Sequence, residues 1–373
     1  MIINPFKSDT LFTGYYGQFN TGDDAFVEVA SWGAKKYWRS EDNRFLAKTN
    51  NLPITTTKIS GYPFNIPKTY RAQKRLLLSS TKTLVSAGGS TIHGTLNKSN
   101  IKKIAINSKA AGQDLKIGAV GVSIGPFNSL EDEKSVIDYL KHIDFLAVRD
   151  QASYDFASSL KLPYNPINAF DLAALLPEIY GINKPSLTNG KKTIGISVCP
   201  VESINNQHNI QNEHRRNEKT IELIKQLDRS DEIKFKFFVI NGHPIVGDLK
   251  LTNEIINLAN PKSFEIVQYQ KNTKVMWEQV SSCDFVISTR LHAAIFACFS
   301  NTPFMLNEYH KKCSDFLETI DFEDRLRLYN SEYDAKKQAA LILDLINNNN
   351  FPSLTNNEYL TDKARLNFTG VKL

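Results

Sequence analysis

The stretch DFVISTRLHAAIFACF, residues 284 to 299, sets an arginine and a histidine where a ligand can be held. Phe285 to Ser288 read as a buried strand. Leu291, Ala294, Ile295 and Cys298 then recur at helical spacing, so Arg290 and His292 stand at a strand-to-helix junction. Thr289 is placed to cap that helix, with Arg290 and His292 in its first turn. Cations there oppose the helix dipole, a local loss that makes sense where an anion is expected. Arginine offers a planar fork for carboxylate or phosphate, and histidine adds a hydrogen bond or a proton near neutral pH. Two residues apart is about 200° of rotation, so the pair cannot share a side face, yet both can converge on a ligand above the helix end. The plainer alternative is a packed interior histidine and an arginine paired with some aspartate.

Near the N-terminus, GYYGQFNTGDDAFVEVASWGAKKYW carries Gly14, Gly17, Asn20 and Gly22 in a loop, followed by Phe26, Val29, Ala30, Gly33 and Tyr37 at helical spacing. Gly-rich backbone lets a ligand come close, and the following helix start offers N–H groups to an anion. The spacing is neither G-x-G-x-x-G nor a P-loop. Asp23 and Asp24 suit a helix start electrostatically, and equally can orient sugar hydroxyls or act as a base. Gly88 and Gly89 follow an apolar strand, in a tight turn or a close approach to ligand; Gly125 and Pro126 read as turn chemistry. Arg149 leaves another strand with Asp150 beside it as a helix cap, either a surface ion pair or part of a site. Tyr309, His310, Lys311 and Lys312 follow a further short strand. His208, His214 and His243 are read as loop residues and receive no role.

These residues need elements to carry them. Apolar runs at 83–87, 117–124, 144–149, 193–198, 235–240, 264–269 and 284–288 alternate with helical patterns such as 217–227, where Ile221, Ile224 and Leu227 share a face. The expected fold class is α/β, with two doubly wound Rossmann-like domains facing a cleft. The Pro-, Gly- and Asn-rich stretch 182–192 marks the boundary. The expected division is 1–185 for one Rossmann-like domain, 186–345 for the other, and 346–373 for a C-terminal tail with a final helix.

A chain of 373 residues exceeds the usual single core. The net charge of +6, from 45 basic and 39 acidic residues, suits an anionic small molecule or lipid surface and argues little for nucleic acid. Cys199, Cys283, Cys298 and Cys313 lack C-x-x-C spacing and read as reduced, buried thiols rather than disulfides or a metal site. No signal pattern opens the chain, and no apolar window is long enough to span a membrane.

The combined motifs resemble the polysaccharide pyruvyl transferase family. The matching residues are Gly14, Gly17, Asn20, Gly22, Asp23 and Asp24; the pair Gly88 and Gly89; IGP at 124 to 126; VRD with Ser153; S-x-R-x-H at Ser288, Arg290 and His292; and Y-x-x-K at Tyr309 and Lys312. The resemblance implies a fold similar to GT-B glycosyltransferases and transfer of pyruvate from phosphoenolpyruvate onto a sugar as a cyclic ketal. It implies phosphoenolpyruvate as co-substrate with no other cofactor and no metal, a free or lipid-linked saccharide as acceptor, and a cytoplasmic place with membrane contact left open. Arg290 and His292 then bind the donor. Arg149, Lys312, Ser288, Gly17, Asn20, Gly88 and Gly89 line the substrates, and Asp23 or Asp24 serves the acceptor. The rival readings are a nucleotide-sugar glycosyltransferase on a similar scaffold and a saccharide-binding protein without catalysis.

Overall fold

The computed structural model describes residues 4–182, 190–204, 210–329, 332–348, 351 and 357–373. The chain forms two compact units. One comprises Met1–Gln18, Asp23–Ile179 and Glu358–Leu373; the other comprises Phe19–Gly22 and Tyr180–Asn357. The chain therefore changes unit at Ile179/Tyr180, before the expected 185/186. Most of the expected linker, 183–189, lies outside the described residues. Nor does 346–373 stand apart, since its last sixteen residues belong to the first unit.

The first unit is built on a seven-stranded parallel sheet. Its strands are β1 (Ser8–Thr13), β2 (Asn43–Lys48), β3 (Ile59–Tyr62), β4 (Thr81–Ile92), β5 (Lys116–Ile124), β6 (Phe145–Val148) and β7 (Ile167–Asn168). They lie in the order β3-β2-β1-β4-β5-β6-β7. The second unit repeats the plan with β8 (Lys192–Ser197), β9 (Ile233–Phe238), β10 (Phe264–Val267), β11 (Phe285–Ser288), β12 (Phe304–Asn307) and β13 (Arg327–Leu328), ordered β10-β9-β8-β11-β12-β13. Each order reverses once, between β1 and β4 and between β8 and β11. At such a switch point the connections leave in opposite directions and open a crevice at the carboxyl ends of the strands.

Burial on both faces explains the continuous apolar runs. Ile117, Ala119, Val120 and Val122 of β5 and Ile194 and Ile196 of β8 are all buried. Each sheet has its own core. In the first, Leu84, Ile117 and Leu146 meet Leu77, Ala105 and Leu140 of the covering helices; in the second, Ile194, Phe235 and Phe285 meet Ile224, Ile255 and Ile342. Within the helix Ile210–Leu227, Ile224 and Leu227 are buried as the 3.6 period requires, with Ile221 partly so. His214 sits on this helix rather than in a loop.

The final helix, Asn357–Thr369, is tied into the first unit through Asn367. Its amide oxygen accepts from Gly121 N (2.6 Å) and its amide nitrogen donates to Phe170 O (2.8 Å). The four cysteines are buried and unbridged. Among the described residues, no helix is long and apolar enough to cross a membrane.

Candidate functional site

The turn after β11 is held by serines at the second switch point. Ser288 and Ser197 face each other in register across β11 and β8, with hydroxyls 2.7 Å apart. Ser288 also donates to Arg290 O (2.6 Å), and Ser197 accepts from Arg290 N (3.3 Å). Ser288 is fully buried and both contacts are internal, so it shapes the turn rather than touching a ligand. The helix then runs Leu291–Phe299 with Arg290, not Thr289, as its N-cap residue, and no side chain caps it. Thr289 instead continues the strand pairing, its N–H donating to Ser197 O (2.8 Å). First-turn N–H groups without a capping side chain are the donors that an anion takes up.

Arg290 does not extend into solvent. Its Nε donates to both oxygens of Asp248 (3.1 Å each), and its Nη2 bonds Oδ1 of the same carboxylate. Asp248 is wholly buried, and Arg290 retains 16% side-chain exposure. Burial works against the guanidinium charge, but Cys199 and the Asp248 carboxylate more than offset it and raise its pKa. This bidentate pair fixes the plane of the fork and leaves Nη1 as the edge for a further acceptor. The aspartate comes from the loop after β9, where it also accepts from Asn241 N (2.8 Å) and precedes the helix Leu249–Ala259.

His292 meets a motif 270 residues away in sequence. A Cβ built on Gly22 would stand well inside 3.0 Å of the imidazole, nearest Nδ1, so glycine is required there by close approach rather than by backbone angle. Gly22 is held by Asn20, whose amide oxygen accepts its N–H (3.0 Å), and Asn20 bridges to Asn241 beyond β9. Thr21 N donates to Ile240 O (3.0 Å) and Gly242 N to Phe19 O (2.8 Å). Residues 19–22 thus belong to the second sheet's carboxyl edge, together with Arg290 and His292.

The same edge gathers cations after β8 and β12. Tyr309 has Arg216 and Lys312 over its ring, at 5.4 and 5.5 Å from the centroid. Arg216 is 1% exposed and pairs bidentately with Glu202, Nη1 to Oε1 at 3.0 Å and Nη2 to Oε2 at 2.7 Å. Burial pushes the Cys199 thiol up to about 11 and raises the Tyr309 phenol well above its ordinary value, so neither ionises near neutral pH. His310 caps the helix Lys311–Thr319, its Nδ1 accepting from Lys312 N (3.2 Å); burial and neighbouring Lys312 lower its pKa, and it is neutral at pH 7.

In the first unit, Gly88 and Gly89 end the straight part of β4 at the other switch point, with φ of +74° and +72°. Only Gly88 is also required by space, because Phe26 occupies the position of its Cβ. Gly17 is likewise left-handed, at φ +70°, against Asn51. Tyr16 closes this corner by donating to Ala87 O (2.8 Å) and Thr13 O (3.1 Å). Burial raises its phenol far up and the nearby Asp23 carboxylate adds to that. Asp23 is partly exposed, whereas Asp24 is fully buried. Of the two carboxylates expected to serve a sugar hydroxyl, Asp23 is therefore the one that solvent reaches.

Arg149 follows β6, two strands from Gly89 in register, a spacing of roughly 10 Å. Its Nη1 donates to Asp171 (2.8 Å) and its Nε to Ser123 (2.8 Å). The pairing partner is thus Asp171, not the adjacent Asp150, which caps the helix Gln151–Ser159 through Ser153 N (2.8 Å). Sequence reasoning passed over Ser197, Asp248, Asp171, Ser123 and Arg216. Asp248 and Asp171 do carry one local signal, since each precedes a helical turn, but nothing local names the arginine it serves.

The family model described as polysaccharide pyruvyl transferase matches residues 20–310. A sequence comparison with curated proteins finds no match. Among solved structures, a UDP-N-acetylglucosamine 2-epimerase described as putative from Listeria monocytogenes is similar over 97% of this chain and 93% of its own, with 9% identity and TM-score 0.58. The UDP-GlcNAc 2-epimerase of Methanocaldococcus jannaschii is similar over 96% and 97%, at 10% and 0.57. That of Neisseria meningitidis, bound to UDP-GlcNAc, is similar over 97% and 95%, at 11% and 0.56. At such identity the likeness establishes the fold, two parallel-sheet Rossmann-like domains of GT-B type.

Proposed function

The chain belongs to the polysaccharide pyruvyl transferase family, and from that premise we propose that it moves pyruvate from phosphoenolpyruvate onto a sugar of a surface polysaccharide or its precursor, closing a cyclic ketal and releasing phosphate. One observation carries the donor assignment: the helix Leu291–Phe299 begins at a switch point without a side-chain cap, and the aligned guanidinium of Arg290 stands at its start. Helix N–H groups and a pre-oriented N–H edge together suit a phosphate or carboxylate.

The reaction needs an anion clamp, a proton donor and a proton acceptor. A proton is delivered to the methylene carbon of the enol, leaving an oxocarbenium-like centre at the carbon bearing phosphate. A sugar hydroxyl adds to that centre and gives up its proton. Cleavage of the carbon–oxygen bond to phosphate regenerates an oxocarbenium-like centre, now stabilised by the sugar oxygen, and a second hydroxyl closes the ketal with loss of its proton. In this reading Arg290 holds the donor, with Arg149 and Lys312 as further cations. His292 carries the first proton, and Asp23 takes the proton from the hydroxyl. No metal or other cofactor is invoked.

The test is incubation with phosphoenolpyruvate and a panel of free and lipid-linked saccharides, following phosphate release and the ketal by mass spectrometry. Stoichiometric phosphate and ketal are expected, and Arg290→Ala or His292→Ala is expected to abolish both. Undiminished turnover in both variants would sink the site assignment. Thermal stabilisation by nucleoside diphosphates and not by phosphoenolpyruvate would sink the donor assignment.

A further inference from the structure

From Asn43 to Gln113 the chain carries twelve lysines and arginines and no aspartate or glutamate. The whole protein has a net charge of only +6, so the remainder is net acidic and the basic character is local. Within that stretch, the ion pairs made among the described residues are those of Lys103 with Asp138 and Lys109 with Asp144. Between Lys58 and Arg75, the cations Lys58, Lys68, Arg71 and Arg75 are exposed, while Lys74 is half-buried.

The same place exposes large apolar side chains. The segment PFNIPKTYRAQKRL, residues 63 to 76, leaves Phe64, Ile66 and Leu76 at 46, 53 and 48% exposure, with Lys68, Arg71 and Arg75 exposed among them. The helix Tyr70–Ser79 buries Gln73, Leu77 and Leu78 and turns Arg71, Arg75 and Leu76 outward. Gln73 ties the preceding loop to this helix: its amide oxygen accepts from Phe64 N (3.0 Å) and its amide nitrogen donates to Phe64 O (2.8 Å). The loop and the helix are therefore one surface, and Phe6 packs edge-on against Phe64 at 5.9 Å.

We infer that this surface seats the first unit on an anionic lipid bilayer. Apolar side chains that enter the headgroup boundary, flanked by cations with no carboxylate in the stretch, are the pattern of an interfacial anchor. A soluble polyanion would be served by the cations alone and gives no reason to expose Phe64, Ile66 and Leu76 together. The inference rests on charge and exposure in the first unit and stands whether or not the donor is phosphoenolpyruvate.

The experiment is co-sedimentation of the whole protein with vesicles of pure phosphatidylcholine and of an equimolar phosphatidylcholine–phosphatidylglycerol mixture, at low and high salt. Binding is expected to the mixed vesicles only, and to weaken with salt. Arg71→Gln with Arg75→Gln should weaken it by roughly 25-fold, at about fivefold per cation. Phe64→Ser with Ile66→Ser should weaken it comparably, and both double variants should keep the wild-type circular dichroism and thermal midpoint. Absence of wild-type binding at low salt would overturn the inference. So would wild-type vesicle affinity in the Phe64→Ser, Ile66→Ser variant, since the surface would then be a site for polyanions in general. Ketal formation with a soluble acceptor is a separate readout, so loss of one does not imply loss of the other.

Discussion

The imidazole of His292 rests against the backbone of Gly22, where no side chain fits beside Nδ1. Gly22 and the S-x-R-x-H motif are therefore one construction within the second unit, with the glycine leaving the space that the ring occupies. Gly22→Ala is expected to push the ring away while leaving both sheets intact. If His292 carries the proton, turnover should fall by about 10² to 10⁴ with little change in the unfolding midpoint. Steady-state kinetics beside a denaturation curve checks this. Wild-type turnover in a folded Gly22→Ala protein would show that ring placement does not matter.

Asp248 sits with Arg290 as a buried carboxylate without exposure of its own. Removing one member of such a pair leaves the other charge buried and uncompensated, at a typical cost of about 3–5 kcal/mol. Asp248→Ala is expected to show that loss in urea unfolding. Adding Arg290→Met to it should restore most of the stability, though not activity. A double variant no more stable than Asp248→Ala would show that the aspartate matters for some reason other than pairing.

Arg290→Lys separates charge from geometry. A single ammonium cannot engage both oxygens of Asp248 and still present an edge to the donor. The donor KM is expected to rise by more than tenfold, an estimate of at least about 1.4 kcal/mol from one lost charge-assisted bond. An unchanged KM would mean that Nη1 makes no donor contact.

Much of this architecture was legible because parallel strands covered on both faces must be apolar along their whole length. β4, β5, β6, β8, β9 and β11 declared themselves in this way, whereas β10 has an apolar run although it is an edge strand with Phe264 and Glu265 exposed. β1, with its leading Ser8, Asp9 and Thr10, and β2, with Asn43 and Arg44, did not, because polar residues there satisfy local partners. Thr10 Oγ1 lies 2.9 Å from Ser40 Oγ, and Arg44 donates to Gly61 O (2.7 Å). In the site, the residue types at 290 and 292 were readable but their surroundings were not. The partner of Arg290 is 42 residues away and the ring of His292 meets Gly22 from the other end of the chain, relations that no local period encodes. The helix start was misplaced by one residue because threonine is the better cap by type, while the serine pair at the switch point decides where the turn closes.

Arg149 tests the first unit as Arg290 tests the second. Its Nε and Nη1 serve Ser123 and Asp171 at once, with side-chain exposures of 10 and 6% for the ion pair. Arg149→Lys keeps the charge but cannot span both acceptors. It is expected to lower turnover nearly as far as Arg149→Met while keeping more of the stability, read by kinetics and thermal unfolding of the two variants. Full activity in Arg149→Lys would leave the residue a simple counter-charge for Asp171.

Lys102 supplies a pH dependence whose sign is fixed by burial. The residue is 6% exposed, its Nζ donates to Thr91 O and lies 5.5 Å from the Tyr139 ring centroid, and burial lowers its pKa from 10.5 to about 8. Between about pH 8 and 10.5 the unfolded chain binds this proton and the folded chain does not, so stability contributed by the site rises with pH through that window. Below about pH 8 the folded state holds a buried charge, at a cost on the order of 3 kcal/mol relative to the top of the window. Lys102→Met removes the titration. The difference in unfolding free energy between wild type and variant should therefore climb in favour of wild type from pH 8 to 10.5, while other titrating groups cancel. A flat difference across that range would place the ammonium in contact with water.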